Sequence, residues 1–267
     1  MRLRTALALW ILGTVPVWSQ VPEIGPTRQL RRASPPLSLH GIEDPEELAR
    51  VTLRVRELRE RTAAEQAKAP RPKLEARAED GIDVGQQGAA ATAPGAGRER
   101  YLQSHGAAPC VIVTLYDPET KTGALSHFDA GTGVAASLEL MIGSMGLPEE
   151  TRLQARLIGG MEGLSDSLFL QLVRELDRRG VEILEADMKG RDEKAPPRRF
   201  RIPRLDGGYD ERELPGLLID SIVFDTETGA AYDMEGLPPQ EHRPGPPDLT
   251  RPSGHVVIMM KRGLLRD

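Results

Sequence analysis

Two side chains in this sequence stand out as able to break a covalent bond together: its single cysteine, Cys110, and His127, seventeen residues later. A free thiol has a pKa of about 8.5 and is mostly protonated at neutral pH, whereas an adjacent imidazolium stabilises the thiolate. The same imidazole can then hand a proton to a leaving group. The chemistry implied is nucleophilic hydrolysis through a covalent intermediate. A third group usually orients the base, and Ser104, six residues before the cysteine, is a candidate. Asp129, two residues after His127, either contacts a substrate amine or caps a turn. Gly159 and Gly160 either let the backbone approach closely beside the site or form a tight strand exit. The other histidines, His40, His105, His242 and His255, fall in loops or lack metal-ligand spacing, so no metal site is assigned.

The two reactive residues need elements to hold them. Residues 110–116 are rich in β-branched residues and read as a strand. Residues 117–123 form a turn, with Asp117 and Pro118 at its opening and Gly123 suited to positive φ. Residues 124–129 are the returning strand. A hairpin in which residue i faces residue 237 − i puts Cys110 directly opposite His127, with Cβ atoms about 4.5–5.5 Å apart. A one-residue slip would send the two side chains to opposite faces.

Downstream, the 3.6-residue apolar period predicts helices at 134–145 and 166–179, with strands at 153–158 and 181–186. Residues 189–213 are polar, basic and proline-containing and read as a surface loop. A second hairpin is expected at 217–224 and 230–234, a proline-rich loop at 236–254, and a closing strand at 255–261. Strands and helices alternate without a βαβ rhythm, so the fold class is α+β with a mixed sheet. Upstream, Asp44, Pro45, Glu46 and Glu47 make a helix start, and Leu48, Val51, Val55 and Leu58 a buried stripe, giving an amphipathic helix at 43–66. Residues 20–42 read as disordered and 67–100 as a linker, with an edge strand near 83–87 as the alternative, leaving 101–267 as the folded α+β domain.

Arg2 and Arg4 precede an uncharged apolar stretch, and Ser19 offers a cleavage point, so residues 1–19 read as an export signal and the mature chain as periplasmic or secreted, without a stable membrane anchor. One cysteine allows no internal disulfide. A formal net charge of −5 argues against a general nucleic-acid binder.

The segment Ser104 to Leu115, with the Cys110-Val-Ile-Val run, and the segment Leu125-Ser-His127-Phe-Asp129 resemble protein N-terminal asparagine amidohydrolases. The spacing from cysteine to histidine and the serine before the cysteine are shared. The chemoreceptor glutamine deamidases look similar over 104–190, and the necrotizing-factor-type toxin deamidases more distantly. The resemblance implies an α-β-β sandwich and cofactor-free hydrolysis of a side-chain carboxamide on a protein or peptide. Cys110 would be the nucleophile, His127 the base and acid, and Ser104 the orienting or substrate-contacting group. The preferred substrate is an N-terminal asparagine; the alternatives are a protein glutamine, or a binding domain that keeps the fold without the activity. Pro109, just before the cysteine, departs from the family pattern and supplies no N–H to an oxyanion.

Overall fold

A computed structural model of the chain describes residues 41–77, 80–93, 100–189, 198–203, 209–214, 220–236 and 256–259. The expected signal at 1–19, most of the segment expected to be disordered and nearly all of the loop expected at 236–254 lie outside them. The elements run α1 (Pro45–Lys68), β1 (Lys73–Glu75), β2 (Gly81–Asp83), β3 (Gly88–Thr92), β4 (Tyr101–Ala107), β5 (Val111–Asp117), β6 (Thr122–Phe128), α2 (Val134–Ser144), β7 (Gln154–Met161), α3 (Asp166–Arg178), β8 (Glu182–Lys189), β9 (Arg198–Pro203), β10 (Tyr209–Leu214), β11 (Asp220–Asp225), β12 (Ala230–Glu235) and β13 (Val256–Met259). No described helix is long and apolar enough to cross a membrane.

Three layers result. A six-stranded sheet has the order β13-β3-β6-β5-β7-β8, and a five-stranded sheet the order β1-β12-β11-β4-β2. Both mix parallel and antiparallel pairs. Val111, Val113, Leu115 and Phe128 turn to one side of the larger sheet and pack with Val55 and Leu58 of α1, Leu138 and Met141 of α2, and Phe169 and Leu172 of α3. Ile112, Leu125 and Ile158 turn to the other side and meet Leu102, Ile222 and Phe224 of the smaller sheet. The fold is therefore an α-β-β sandwich of the α+β class. Because β5 is covered on both faces, its sequence is a continuous apolar run rather than an alternating one.

The β5–β6 hairpin forms, in a different register. Val111 pairs with Phe128, Ile112 with His127 and Asp117 with Thr122, so residue i faces 239 − i. The turn is shorter than expected because Asp117 caps it, accepting the N–H groups of Glu119 and Thr120. Positive φ falls on Lys121 rather than on Gly123. Gly123 is a strand residue whose missing side chain matters for a different reason: a Cβ there would come within 2.8 Å of Thr226 and Phe224 across the inter-sheet layer. The shift of two residues preserves parity, so Cys110 and His127 keep a common face but lose direct opposition.

Two stretches differ more. The expected linker at 67–100 contains β1, β2 and β3. Ala89, Ala90 and Ala91 of β3 are buried between β6 and β13, where alanine's weak strand preference is overridden by ladder pairing and close packing on both faces. The expected loop at 189–213 contains the antiparallel ribbon β9–β10, with Pro203 at a strand end where its missing N–H is tolerated. Ile42, at the end of the segment expected to be disordered, is buried in the core.

α1 closes the open edge of the larger sheet. Asp44 caps its first turn by accepting the Glu46 N–H, and Val51, Val55 and Leu58 face inward as expected. The Arg61 guanidinium donates to the Ile183 and Leu184 carbonyls of β8, and Thr62 Oγ1 accepts the Ala186 N–H at 2.9 Å. Just beyond the helix, Arg71 is almost wholly buried and bridges both sheets by pairing with Glu185 and Asp187 of β8 and Asp233 of β12. Gln66 donates to both Glu185 and Asp187, Arg156 pairs with Glu185, and Lys189 lies between Asp187 and Asp220.

Candidate functional site

β4 belongs to the smaller sheet and β5 to the larger one, so residues 108–110 carry the chain from one layer to the other. Cys110 lies at the end of this crossing, just before β5, and its side chain belongs to the inter-sheet layer. His127 comes from β6 and Ser104 from β4, the latter reaching across from the opposite sheet. All three are buried.

The Ser104–His127 contact fixes the state of the imidazole. Ser104 Oγ donates its one proton to the Val84 carbonyl at 2.6 Å and lies 2.9 Å from His127 Nδ1. With that proton committed, Nδ1 must be the N–H donor, and the ring carries its lone pair on Nε2. Nε2 is buried and has no hydrogen-bond partner. Burial, reinforced by neighbouring His105, lowers the imidazole pKa to about 4. The ring is thus neutral at physiological pH, with an unoccupied basic nitrogen.

The cysteine is equally uncharged. Burial, with the nearby Asp129 carboxylate adding to it, pushes the Cys110 thiol up to about 12. The sequence implied a thiolate beside an imidazolium; the structure instead pairs a thiol with a neutral imidazole, because the inter-sheet layer solvates neither charge. Cys110 and His127 share a face in adjacent ladder positions, a diagonal relationship of about 7–8 Å between positions in an antiparallel pair. Nε2 without a partner means the thiol is not hydrogen-bonded to it here. Apo sites often hold such contacts long and tighten them around substrate.

Asp129 has both oxygens engaged. Oδ1 accepts from the Gly131 N–H and Thr132 Oγ1, and Oδ2 from the Gln86 and Gln87 side chains. Burial alone would raise its pKa, but the donors from Gln87, Thr132 and Gln86 outweigh it and keep the carboxylate ionised. Of its two readings the structure displays the turn cap, and it links the turn after β6 to the turn before β3.

Gly159 and Gly160 both have positive φ, at 96° and 84°. A Cβ on Gly159 would lie 3.0 Å from the Cys110 carbonyl oxygen and from Ala107 Cβ; one on Gly160 would meet Phe169 and Ser165. The glycines therefore let β7 press against the segment that carries the cysteine. Ser165 completes this support: its hydroxyl donates to the Pro109 carbonyl at 2.8 Å and accepts the Met161 N–H at 2.8 Å. Sequence reasoning missed Ser165. A serine just before a helix signals an N-cap, yet this one makes no capping bond and is spent on the crossing segment instead. His105 was also misplaced: it lies in β4, 3.2 Å from Asp83. Among the described residues, no cluster of His, Cys, Asp and Glu is placed to hold a metal ion.

A model of the protein N-terminal asparagine amidohydrolase family matches residues 72–188. The match runs from β1 into β8 and includes all six candidate site residues. It starts earlier and stops earlier than the folded domain expected at 101–267. It bears out the resemblance itself and supports an amidohydrolase, an enzyme that breaks amide C–N bonds. Among solved structures, the chain is similar to a Neisseria meningitidis protein, NMB0706 of the DUF152 family, at 14% identity and a TM-score of 0.28. That similarity covers 48% of this chain and 66% of the other, so it spans just under two thirds of that protein's length. No curated protein matches the chain.

Proposed function

We propose that this chain, similar over residues 72–188 to protein N-terminal asparagine amidohydrolases, is an exported cysteine amidohydrolase that converts the N-terminal asparagine of a protein or peptide to aspartate. The observation that supports this most is the Val84–Ser104–His127 chain of hydrogen bonds, which leaves a bare Nε2 on the face that carries Cys110. Nε2 takes the thiol proton as Sγ attacks the carboxamide carbon. The imidazolium then protonates the departing nitrogen, which leaves as ammonia and gives a thioester. Water, deprotonated by the regenerated Nε2, attacks the thioester; the imidazolium returns the proton to sulfur and the carboxylate is released. The reaction consumes one water and needs no cofactor. Pro109 offers no N–H to the tetrahedral oxyanion, so the Cys110 N–H remains as the local backbone donor.

The test is ammonia release by the full chain from four peptide classes, carrying N-terminal Asn, N-terminal Gln, internal Asn and internal Gln. Release is expected from the N-terminal Asn class. Release from the internal Gln class alone would replace this reading with a protein glutamine deamidase, and release from none would leave a binding domain.

Ser104 is a positioning residue in this scheme. Ser104→Ala removes the acceptor that holds Nδ1–H and frees the other tautomer. We expect kcat to fall roughly 10–100-fold with KM little changed, and the ring's nitrogen NMR shifts to report mixed tautomers. Ser104→Thr, which keeps the hydroxyl, should recover most of kcat. Loss of kcat with the tautomer intact would remove this role.

A further inference from the structure

An enzyme selective for a chain terminus must recognise an α-ammonium group, and the carboxylates around the site differ in what they have left to offer it. Asp129 has four donors on its two oxygens. Asp83 is bonded to His105. Glu185 is held by Gln66, Arg71 and Arg156; Asp187 by Gln66, Arg71 and Lys189; Asp233 by Arg71. Asp220 is the exception. Its side chain is more than nine-tenths buried, Lys189 approaches Oδ1 no closer than 3.6 Å, and Oδ2 has no partner. Among the described residues of this cluster four carboxylates face three cations, Arg71, Arg156 and Lys189, so one more positive charge would balance them.

Asp220 also sits in the right place. It pairs directly with Ala107 across β11 and β4, and directly paired residues share a face. Ala107 is on the inter-sheet face, and its Cβ and the Cys110 carbonyl oxygen both border the position that a Gly159 Cβ would occupy. Lys189, the partner of Asp220, lies on β8, two strands from β5 and level with Met161 on β7. Two strand spacings are about 10 Å. A bound terminal asparagine has a reach of that order: a thiol poised for attack at about 3–3.5 Å, three covalent bonds from carboxamide carbon to α-nitrogen at about 3–4 Å, and a charge-assisted hydrogen bond of about 2.8 Å. His127, on β6, flanks Cys110 from the other side.

We infer that Asp220 binds the α-ammonium group of the substrate and so selects a terminal residue over an internal one. This rests on the deamidase reading and adds a specificity residue to it. Burial raises the Asp220 carboxyl to about 6 against the pull of Lys189, so it is ionised at neutral pH and still in want of a counter-charge.

The test compares a hexapeptide beginning with Asn to the same peptide acetylated on its α-nitrogen. Affinity is measured by calorimetry on full-length Cys110→Ala protein, and turnover on the wild type. The free-amine peptide should be favoured roughly 10–100-fold, the range of a charge-assisted hydrogen bond. Adding Asp220→Asn should bring that ratio close to one. A ratio near one in the parent, or a ratio that survives Asp220→Asn, overturns the inference. Affinity decides it even if no peptide is turned over, an outcome that would count against the deamidase reading alone. Asp220→Asn removes a buried charge and should raise the thermal midpoint at pH 8. Lys189→Gln gives an independent check: it removes the cation that lowers the Asp220 carboxyl, so on acidification its free-amine preference should fade at a higher pH than the wild type's; a preference independent of pH in both proteins would also overturn the inference.

Discussion

Cys110→Ala should abolish ammonia release, lowering kcat by at least about 10⁴-fold, because no other group can form the thioester. The fold should survive, since alanine fits a site whose neighbours include Ala107 and Ala108. Circular dichroism and the thermal midpoint would establish that, and residual activity above about 1% would remove Cys110 as the nucleophile. The protonation states lead to a more discriminating result. A preformed thiolate–imidazolium pair would alkylate with iodoacetamide on a pH profile that plateaus near 6–7. The buried thiol of this site, held at about 12, should react slowly at pH 7 and keep accelerating beyond pH 9. At saturating peptide, where the bound ammonium group holds Asp220 ionised, kcat should likewise stay level from pH 5 to 8 and fall only as His127 is protonated near its lowered value of about 4. An acid limb near 6.5 would contradict the buried, neutral imidazole.

Arg71→Ala should destabilise the protein by about 3–5 kcal/mol at pH 8, the usual cost of removing one side of a buried ionic cluster. Arg71 touches Glu185, Asp187 and Asp233 and joins the two sheets, so its loss leaves like charges facing one another out of water. The pH dependence identifies the cause. For Asp187, burial would raise the pKa, but Gln66, Lys189 and Arg71 bring it below its ordinary value. That contribution to stability is present above the unfolded pKa and is lost as pH falls through the folded one. Without Arg71 the balance reverses: the carboxylates take up protons more readily in the folded state, so the variant gains relative stability on acidification. Urea unfolding at pH 8 and pH 5 should show the gap between variant and wild type shrinking. A gap below 1 kcal/mol at pH 8, or one that does not change with pH, would show that the cluster is not holding the sheets together.

The parts of the site that were legible in the sequence were those encoded locally. A β-rich run, a turn opened by Asp-Pro and a returning strand put Cys110 and His127 on one face, and the two-residue error in register left that conclusion standing because strand faces alternate with period two. Ser104 was found by its spacing from the cysteine, but its real work, bridging two sheets and donating to the Val84 carbonyl, depends on β2 and β4 meeting β6 in space. The strand of three alanines was not legible because nothing in Ala89-Ala90-Ala91 signals β structure until its neighbours are known. Ser165 and Asp220 escaped notice for the same reason: each acts on a segment more than fifty residues away in sequence. Protonation could not be read at all. Spacing shows that a thiol and an imidazole are near each other, and burial decides which of them carries the proton.

The 24-residue helix α1 precedes the family-matched segment and contains none of the candidate site residues. Its Arg61 and Thr62 side chains nevertheless occupy β8 carbonyls and an N–H that would otherwise face outward as a bare sheet edge. An uncovered edge is a template for strand addition from a second chain. A fragment beginning at residue 72 would keep every group named in the chemistry and lose its protection against self-association. The helix thus shields the edge of the sheet, a role separate from the proposed chemistry.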